Sequence, residues 1–114
     1  MHELSIASSL LELSLEKAHE QAAARICKIY VTIGRLSGIE EHYLTSAFDI
    51  IKLNTCAENA ELISTMQEIV VMCNDCGASF APLELDFTCQ KCKSDDFEVI
   101  QGESLMLVSL EMED

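Results

Sequence analysis

Four cysteines constrain this chain more than anything else in it. Cys73-Asn74-Asp75-Cys76 and Cys89-Gln90-Lys91-Cys92 are two CxxC knuckles separated by twelve residues. In each knuckle a tight turn brings two thiolates onto one ion, and the intervening hairpin delivers the second pair to complete a tetrahedron, the geometry Zn²⁺ takes with sulfur ligands. Gly77, just past the first knuckle, supplies the backbone freedom such a turn needs. A thioredoxin-like redox pair would open a helix, and neither knuckle is followed by a helical pattern. Four thiolates also close the coordination sphere, leaving no position for a catalytic water. Cys73, Cys76, Cys89 and Cys92 are therefore expected to hold a structural zinc. A segment of about thirty residues cannot bury a core of its own, so metal binding must supply much of its folding free energy.

The pattern on either side is different. Apolar or small residues recur at Leu4, Ala7, Ser8, Leu11, Leu15, Ala18 and Ala22, widened by Ile6, Leu10 and Leu13, which predicts an amphipathic helix ending near Ala24. In residues 26–33, Cys27, Ile29, Val31 and Ile33 alternate with Lys28, Tyr30 and Thr32, the period of a strand. Gly34 and Gly38 bracket a turn, and Ser37 with Glu40 fits a capping box opening a second helix that carries Leu44, Ala47, Phe48 and Ile51 on one face. That helix should fray near Asn54, and Asn59 suits a left-handed position in the loop beyond. A second strand follows over residues 60–66. After Gly102 the strand pattern returns at residues 104–112, with Met106, Val108, Leu110 and Met112 on one side. The fold class expected is α+β: helix, strand, helix, strand and a returning C-terminal strand build one small sheet with two helices, and a four-cysteine zinc ribbon is inserted. The domain division expected is residues 1–68 with 101–114, and residues 69–100 for the ribbon. Cys27 should be a buried thiol on the core side of its strand, and Cys56 has no assigned role.

Charge decides which partners suit such a ribbon. Twenty acidic residues against seven basic ones give a formal charge of −13, a surface that repels phosphate backbones and anionic headgroups. Between Cys73 and Ile100 only Lys91 and Lys93 oppose six acids, so the basic stripe that phosphate contacts require is missing. Protein contact is expected, and nucleic acid and membrane are not. The longest apolar run, residues 69–73, is far too short to span a bilayer. The first twenty residues carry Glu3, Glu12 and Glu16 with no base before Lys17, the reverse of a secretory signal. The location expected is cytoplasmic, where cysteines stay reduced or bind metal. No Ser/His/Asp or Cys/His set suggests an enzyme.

The start of the chain, Met1-His2-Glu3, carries its own chemistry. Removal of an initiator methionine requires a small second residue, so His2 should keep Met1 in place. The α-amine, the His2 amide nitrogen and the His2 imidazole can then close adjacent chelate rings on one ion. A nitrogen-rich, nearly planar set of this kind suits Ni(II) or Cu(II) rather than Zn²⁺.

With these residues in view, the sequence resembles the HypA/HybF nickel metallochaperones of [NiFe]-hydrogenase maturation. The resemblance rests on Met1-His2-Glu3 with Ser5, on Ile33-Gly34-Arg35-Leu36-Ser37-Gly38-Ile39-Glu40, on Ala47-Phe48, on Thr55, Glu58, Ala60 and Leu62, on the two CxxC pairs with Gly77, and on Gly102. Gln90, Asn59 and Ser104 depart from common family residues without touching the metal motifs. The resemblance implies a nickel site at the N-terminus, with His2 supplying its imidazole and Glu3 its backbone amide or carboxylate, and a zinc ribbon that holds shape and helps partner contact. Glu40 lies where some relatives place an acid near the nickel, a residue its capping role explains equally. His42 and His19 read as solvated helix residues. The partners implied are a nickel-binding maturation GTPase, the [NiFe]-hydrogenase large-subunit precursor and, in some bacteria, urease maturation proteins. The competing reading is a zinc-ribbon protein-interaction or nucleic-acid-binding module without a nickel function.

Overall fold

The computed structural model describes residues 2–82, 84 and 86–114. Its first helix, α1 (Glu3–Glu20), buries Ala7, Leu10, Leu11, Ser14 and Ala18. The buried stripe is therefore rotated from the expected one: Leu4 is 58% exposed, and the Ser14 hydroxyl spends its hydrogen bond on the Leu10 carbonyl at 2.8 Å. The helix also begins and ends earlier than its pattern suggests. Ala22 takes a left-handed φ of 53°; its N–H donates to the His19 carbonyl and that of Ala23 to the Ala18 carbonyl, the paired bonds of a Schellman stop. Glycine normally fills that position, so no composition signal marked it.

Strand β1 (Arg25–Gly34) is the centre of the first sheet. Ile26, Ile29, Val31 and Ile33 are buried, while Cys27 is only half-buried. The pairing with the last strand skips a residue here, from Ile26 to Lys28, and such a bulge changes which side chain faces inward. Cys27 is thus not the fully buried thiol its alternation implied. A single 3₁₀ turn (Arg35–Ser37) and Gly38, at φ 74°, lead into α2 (Glu41–Ile51). The capping box does not form. Ser37 Oγ accepts the Ile39 N–H at 3.2 Å within the loop, and Glu40 itself is the N-cap residue, without a side-chain cap. Leu44 and Phe48 are fully buried, with Ala47 and Ile51 packed against the core at its edge. Beyond α2 the left-handed residue is Asn54 (φ 65°), not Asn59.

Strand β2 (Glu61–Gln67) runs parallel to β1, from Lys28 opposite Glu61 to Gly34 opposite Gln67. Parallel strands need a crossover, and α2 provides it. Both helices therefore run back along β1, and their N-termini sit together at its C-terminal end. The chain next leaves this sheet for a second one made of β3 (Val70–Cys73), β4 (Ser79–Phe80) and β5 (Phe97–Gln101), ordered β4-β3-β5 and antiparallel throughout. It then returns as β6 (Leu105–Glu113), antiparallel to β1, giving the order β2-β1-β6. The expected face of β6 is split by a second bulge. Tyr30 pairs with Ser109 but Val31 with Leu107, so Leu105, Leu107, Leu110 and Met112 pack on the core while Met106 and Val108 are 57% and 61% exposed.

The two sheets meet at a narrow waist. A side chain on Gly34 would come 2.4 Å from the Gly102 carbonyl carbon, and one on Gly102, at φ 89°, would come 2.6 Å from the Glu68 carbonyl oxygen. Arg35 grips the Glu68 carboxylate at 2.5 Å, and the Leu36 N–H donates to the Gly102 carbonyl at 2.9 Å. End to end the molecule measures 53 × 27 × 16 Å.

Candidate metal centres

Each knuckle is built by the same backbone turn. In the first, the Gly77 N–H donates to the Cys73 carbonyl at 2.9 Å and the Cys73 N–H to the Ala78 carbonyl at 2.8 Å. In the second, Lys93 donates to Cys89 and Cys89 to Ser94, both at 2.8 Å. Both turns close on a left-handed residue, Gly77 at φ 77° and Lys93 at φ 66°. The cross-links between them are also matched: Asn74 donates to Asp96 from its main chain and its side chain at 2.9 Å each, and the Ser94 hydroxyl donates to the Asp75 carboxylate. Sequence reasoning found Gly77 but missed Lys93, although the identical knuckle spacing implies a second left-handed residue there.

The result brings the four sulfurs of Cys73, Cys76, Cys89 and Cys92 within 4.8 Å of one another. Cys73 Sγ lies 3.5 Å from Cys92 Sγ, and Cys76 Sγ 3.7 Å from Cys89 Sγ. Cys73 and Cys89 are buried, Cys76 and Cys92 exposed. Main-chain N–H groups of Cys92 and Lys91, opposed by burial and aided by the neighbouring thiols, hold the Cys89 thiol down to about 6. Cys92 goes the other way. The Ser94 N–H favours its thiolate, but Cys73, burial and the two remaining cysteines push it up to about 12. Four sulfurs this close cannot all ionise without a cation among them. A set of four soft donors at tetrahedral spacing with N–H···S support fits Zn²⁺ in a closed structural site. Phe87 and Phe97 stack beside it, 4.7 Å between centroids.

Among the described residues no other group of three or more His, Cys, Asp and Glu side chains could share one ion. Cys27 and Cys56 stand apart from the cluster; the Cys56 carbonyl accepts the Ile26 N–H and ties the α2–β2 loop to β1.

The N-terminal residues are placed by α1. His2 is its exposed N-cap, and the His2 carbonyl accepts the Ile6 N–H at 3.0 Å. The expected amine donor on Met1 lies outside the described residues. Glu3 is already helical and 7% exposed, one residue ahead of the apolar pattern that begins at Leu4. Its carboxylate accepts the Glu40 N–H at 3.0 Å, and that bond, against burial, keeps its pKa below the usual carboxylate value. Glu3 and Glu40 thus meet, but through the main chain of Glu40. A contact between residues 37 positions apart leaves no trace in local spacing. His42 is exposed, edge-tilted to Tyr43 at 5.9 Å between ring centroids.

Comparison with known proteins bears on both centres. The family model described as hydrogenase/urease nickel incorporation, metallochaperone, HypA matches residues 1–112. The hydrogenase maturation factor HypA of Aquifex aeolicus is 42% identical over 113 residues, 99% of this chain and 98% of that protein. The factor of the same name from Wolinella succinogenes is 39% identical over 114 residues, covering 99% and 96%. Among solved structures, the solution structure of the Ni metallochaperone HypA from Helicobacter pylori superposes with a TM-score of 0.79 at 34% identity, covering 99% of this chain and 98% of that one. Helices, mixed sheet and four-cysteine cluster all fall within these end-to-end matches, and the chain belongs to the HypA family of nickel-incorporation metallochaperones.

Proposed function

We propose that the chain carries Ni(II) as cargo on its N-terminal residues and yields it to a [NiFe]-hydrogenase large-subunit precursor. The observation that supports this is the Glu3 to Glu40 hydrogen bond. It pins the first turn of α1 against the start of α2 and leaves His2 exposed one residue away. The first turn of a helix leaves its N–H groups outside the helical ladder, so main-chain nitrogen there can serve a metal. On this reading the Met1 amine, the main-chain nitrogen of His2 and the His2 imidazole bind the ion, and Glu3 contributes main-chain nitrogen while its carboxylate stays with Glu40. An exposed site with one imidazole lets ligands exchange one at a time, which transfer requires. The ribbon, residues 69–100, folds around zinc as a unit separate from residues 1–68 with 101–114. A cytoplasmic maturation GTPase and, where present, urease maturation proteins are the further partners this reading implies. The protein's own part is binding and release of an ion rather than catalysis.

Nickel titration of zinc-loaded, untagged protein tests the site. His2→Ala should abolish stoichiometric nickel binding, as should any tag that converts the Met1 amine to an amide, while zinc content stays constant. Glu3→Gln, which can still accept the Glu40 N–H, should keep nickel affinity within about tenfold. Normal binding by His2→Ala would leave the N-terminal site without support and favour a zinc-ribbon interaction module.

A further inference from the structure

The sheet order β2-β1-β6 leaves the outer side of β6 without a neighbouring strand among the described residues. The Ser104 carbonyl turns inward, accepting the Gly34 N–H at 3.0 Å. By the alternation of an antiparallel ladder, the N–H and C=O groups of Leu105 and Leu107 turn outward, to the free edge. The side chains of the same two leucines line a cavity of about 520 Å³ beneath α1, with Ile6, Leu10 and Leu13 on its other wall. Leu13 is 40% exposed. A free strand edge alongside an apolar groove is the arrangement that accepts an added strand: main-chain bonds give affinity and alternate side chains fill the groove.

Exposed edges invite self-pairing, and charge is one defence against it. On β6 the charges stand only at the ends, Glu103 just before it and Glu111 and Glu113 near its close, with residues 104–110 uncharged. Antiparallel pairing of two β6 strands about their centre would set Glu103 of one copy against the acids of the other, on a chain already at −13. The same acids attract a cationic strand. We propose that the outer edge of β6 and the groove under α1 receive an extended segment of a partner protein in which small apolar residues alternate with lysine or arginine. Ile6, on the groove wall, is bonded to the carbonyl of His2, so the bound segment lies one helical turn from the N-terminus. The proposal stands on the edge and groove alone and does not require nickel.

The probe is a capped octapeptide of alternating valine and lysine, added to zinc-loaded, ¹⁵N-labelled protein. Two further peptides carry N-methyl groups on alternate residues, one on the valines and one on the lysines, at unchanged charge. Binding should shift the Leu105 and Leu107 amides and slow their hydrogen exchange about tenfold. One methylated peptide should lose about tenfold in affinity while the other stays within about twofold, because only one set of N–H groups faces β6. Leu13→Glu, a change at a half-exposed position, should also lose about tenfold with its spectrum otherwise native. Equal binding of all three peptides would show charge attraction alone and overturn the proposal. So would undiminished binding by Leu13→Glu, or protection of Leu105 and Leu107 in a dimer of the free protein, which would assign the edge to a second copy.

Discussion

The two sheets of this molecule are of equal strand number and are held together by different physics. The first, β2-β1-β6 under two helices, encloses among the described residues a cluster of twelve buried apolar ones from Ala7 to Ala60. Among the described residues the second, β4-β3-β5, buries only Ile69 and Val71 besides Cys73 and Cys89. A sheet with a helical layer can exclude water from one face; a bare three-stranded sheet of two- to five-residue strands cannot. In the ribbon, coordination replaces burial, and its turns are shaped to aim sulfur rather than hydrocarbon.

The largest effect should come from removing the metal. Cys73→Ser or Cys92→Ser should lose zinc and melt residues 69–100 while α1, α2 and the first sheet stay ordered, seen as retained exchange protection in β1 and lost protection in β3 and β5. Unchanged zinc stoichiometry in both variants would break the comparison. The converse is Phe48→Ala. Loss of this fully buried ring should cost about 3–5 kcal/mol of unfolding free energy in the first sheet, with zinc retained at one per chain below the new transition. Zinc lost in step with that transition would show that the ribbon depends on the apolar core.

Smaller changes sharpen the contrast. Lys93 in the second knuckle and Ala22 at the end of α1 both hold left-handed backbone that costs a side-chain-bearing residue about 1 kcal/mol. Lys93→Gly should strengthen zinc retention against a chelator and leave the core transition unmoved; Ala22→Gly should do the opposite, raising the core transition by a few degrees. The smallest effect belongs to the exposed Arg35–Glu68 pair at the waist. Arg35 lowers the Glu68 pKa below its ordinary value, so the pair's contribution is present above the ordinary carboxylate range and fades as pH falls through the lowered value. Arg35→Ala should therefore lower stability only slightly near neutrality and not at all in acid, measured by urea unfolding at both pH values.

What was legible beforehand divides along the same line. The clustering of the four cysteines could be read because coordination fixes spacing within a few residues, and the order of elements because Leu44 and Phe48, or Ile29 and Val31, repeat at the period of their structure. What escaped was decided across the sheet. Cys27 was left half-buried, and Met106 and Val108 exposed, at two bulges set by the pairing of β1 with β6. The bond from Glu40 to Glu3 escaped because nothing in either local sequence refers to the other, and the expected capping partner, Ser37, was engaged nearby by Ile39.

That β6 must rejoin β1 across the whole ribbon also bears on how fast the molecule assembles. Until β6 docks, β1 has one strand beside it, and a long intervening segment has to be closed before Arg25 meets Glu113 and Ile33 meets Leu105. Pairing of β3 with β5, which sets Val70 opposite Gln101, carries the start of β6 to within a few residues of where β2 ends. Zinc captured early would shorten the effective loop and lower the entropy cost of the slowest pairing. The ion would then act on the timing of the distant sheet without contributing a single contact to it.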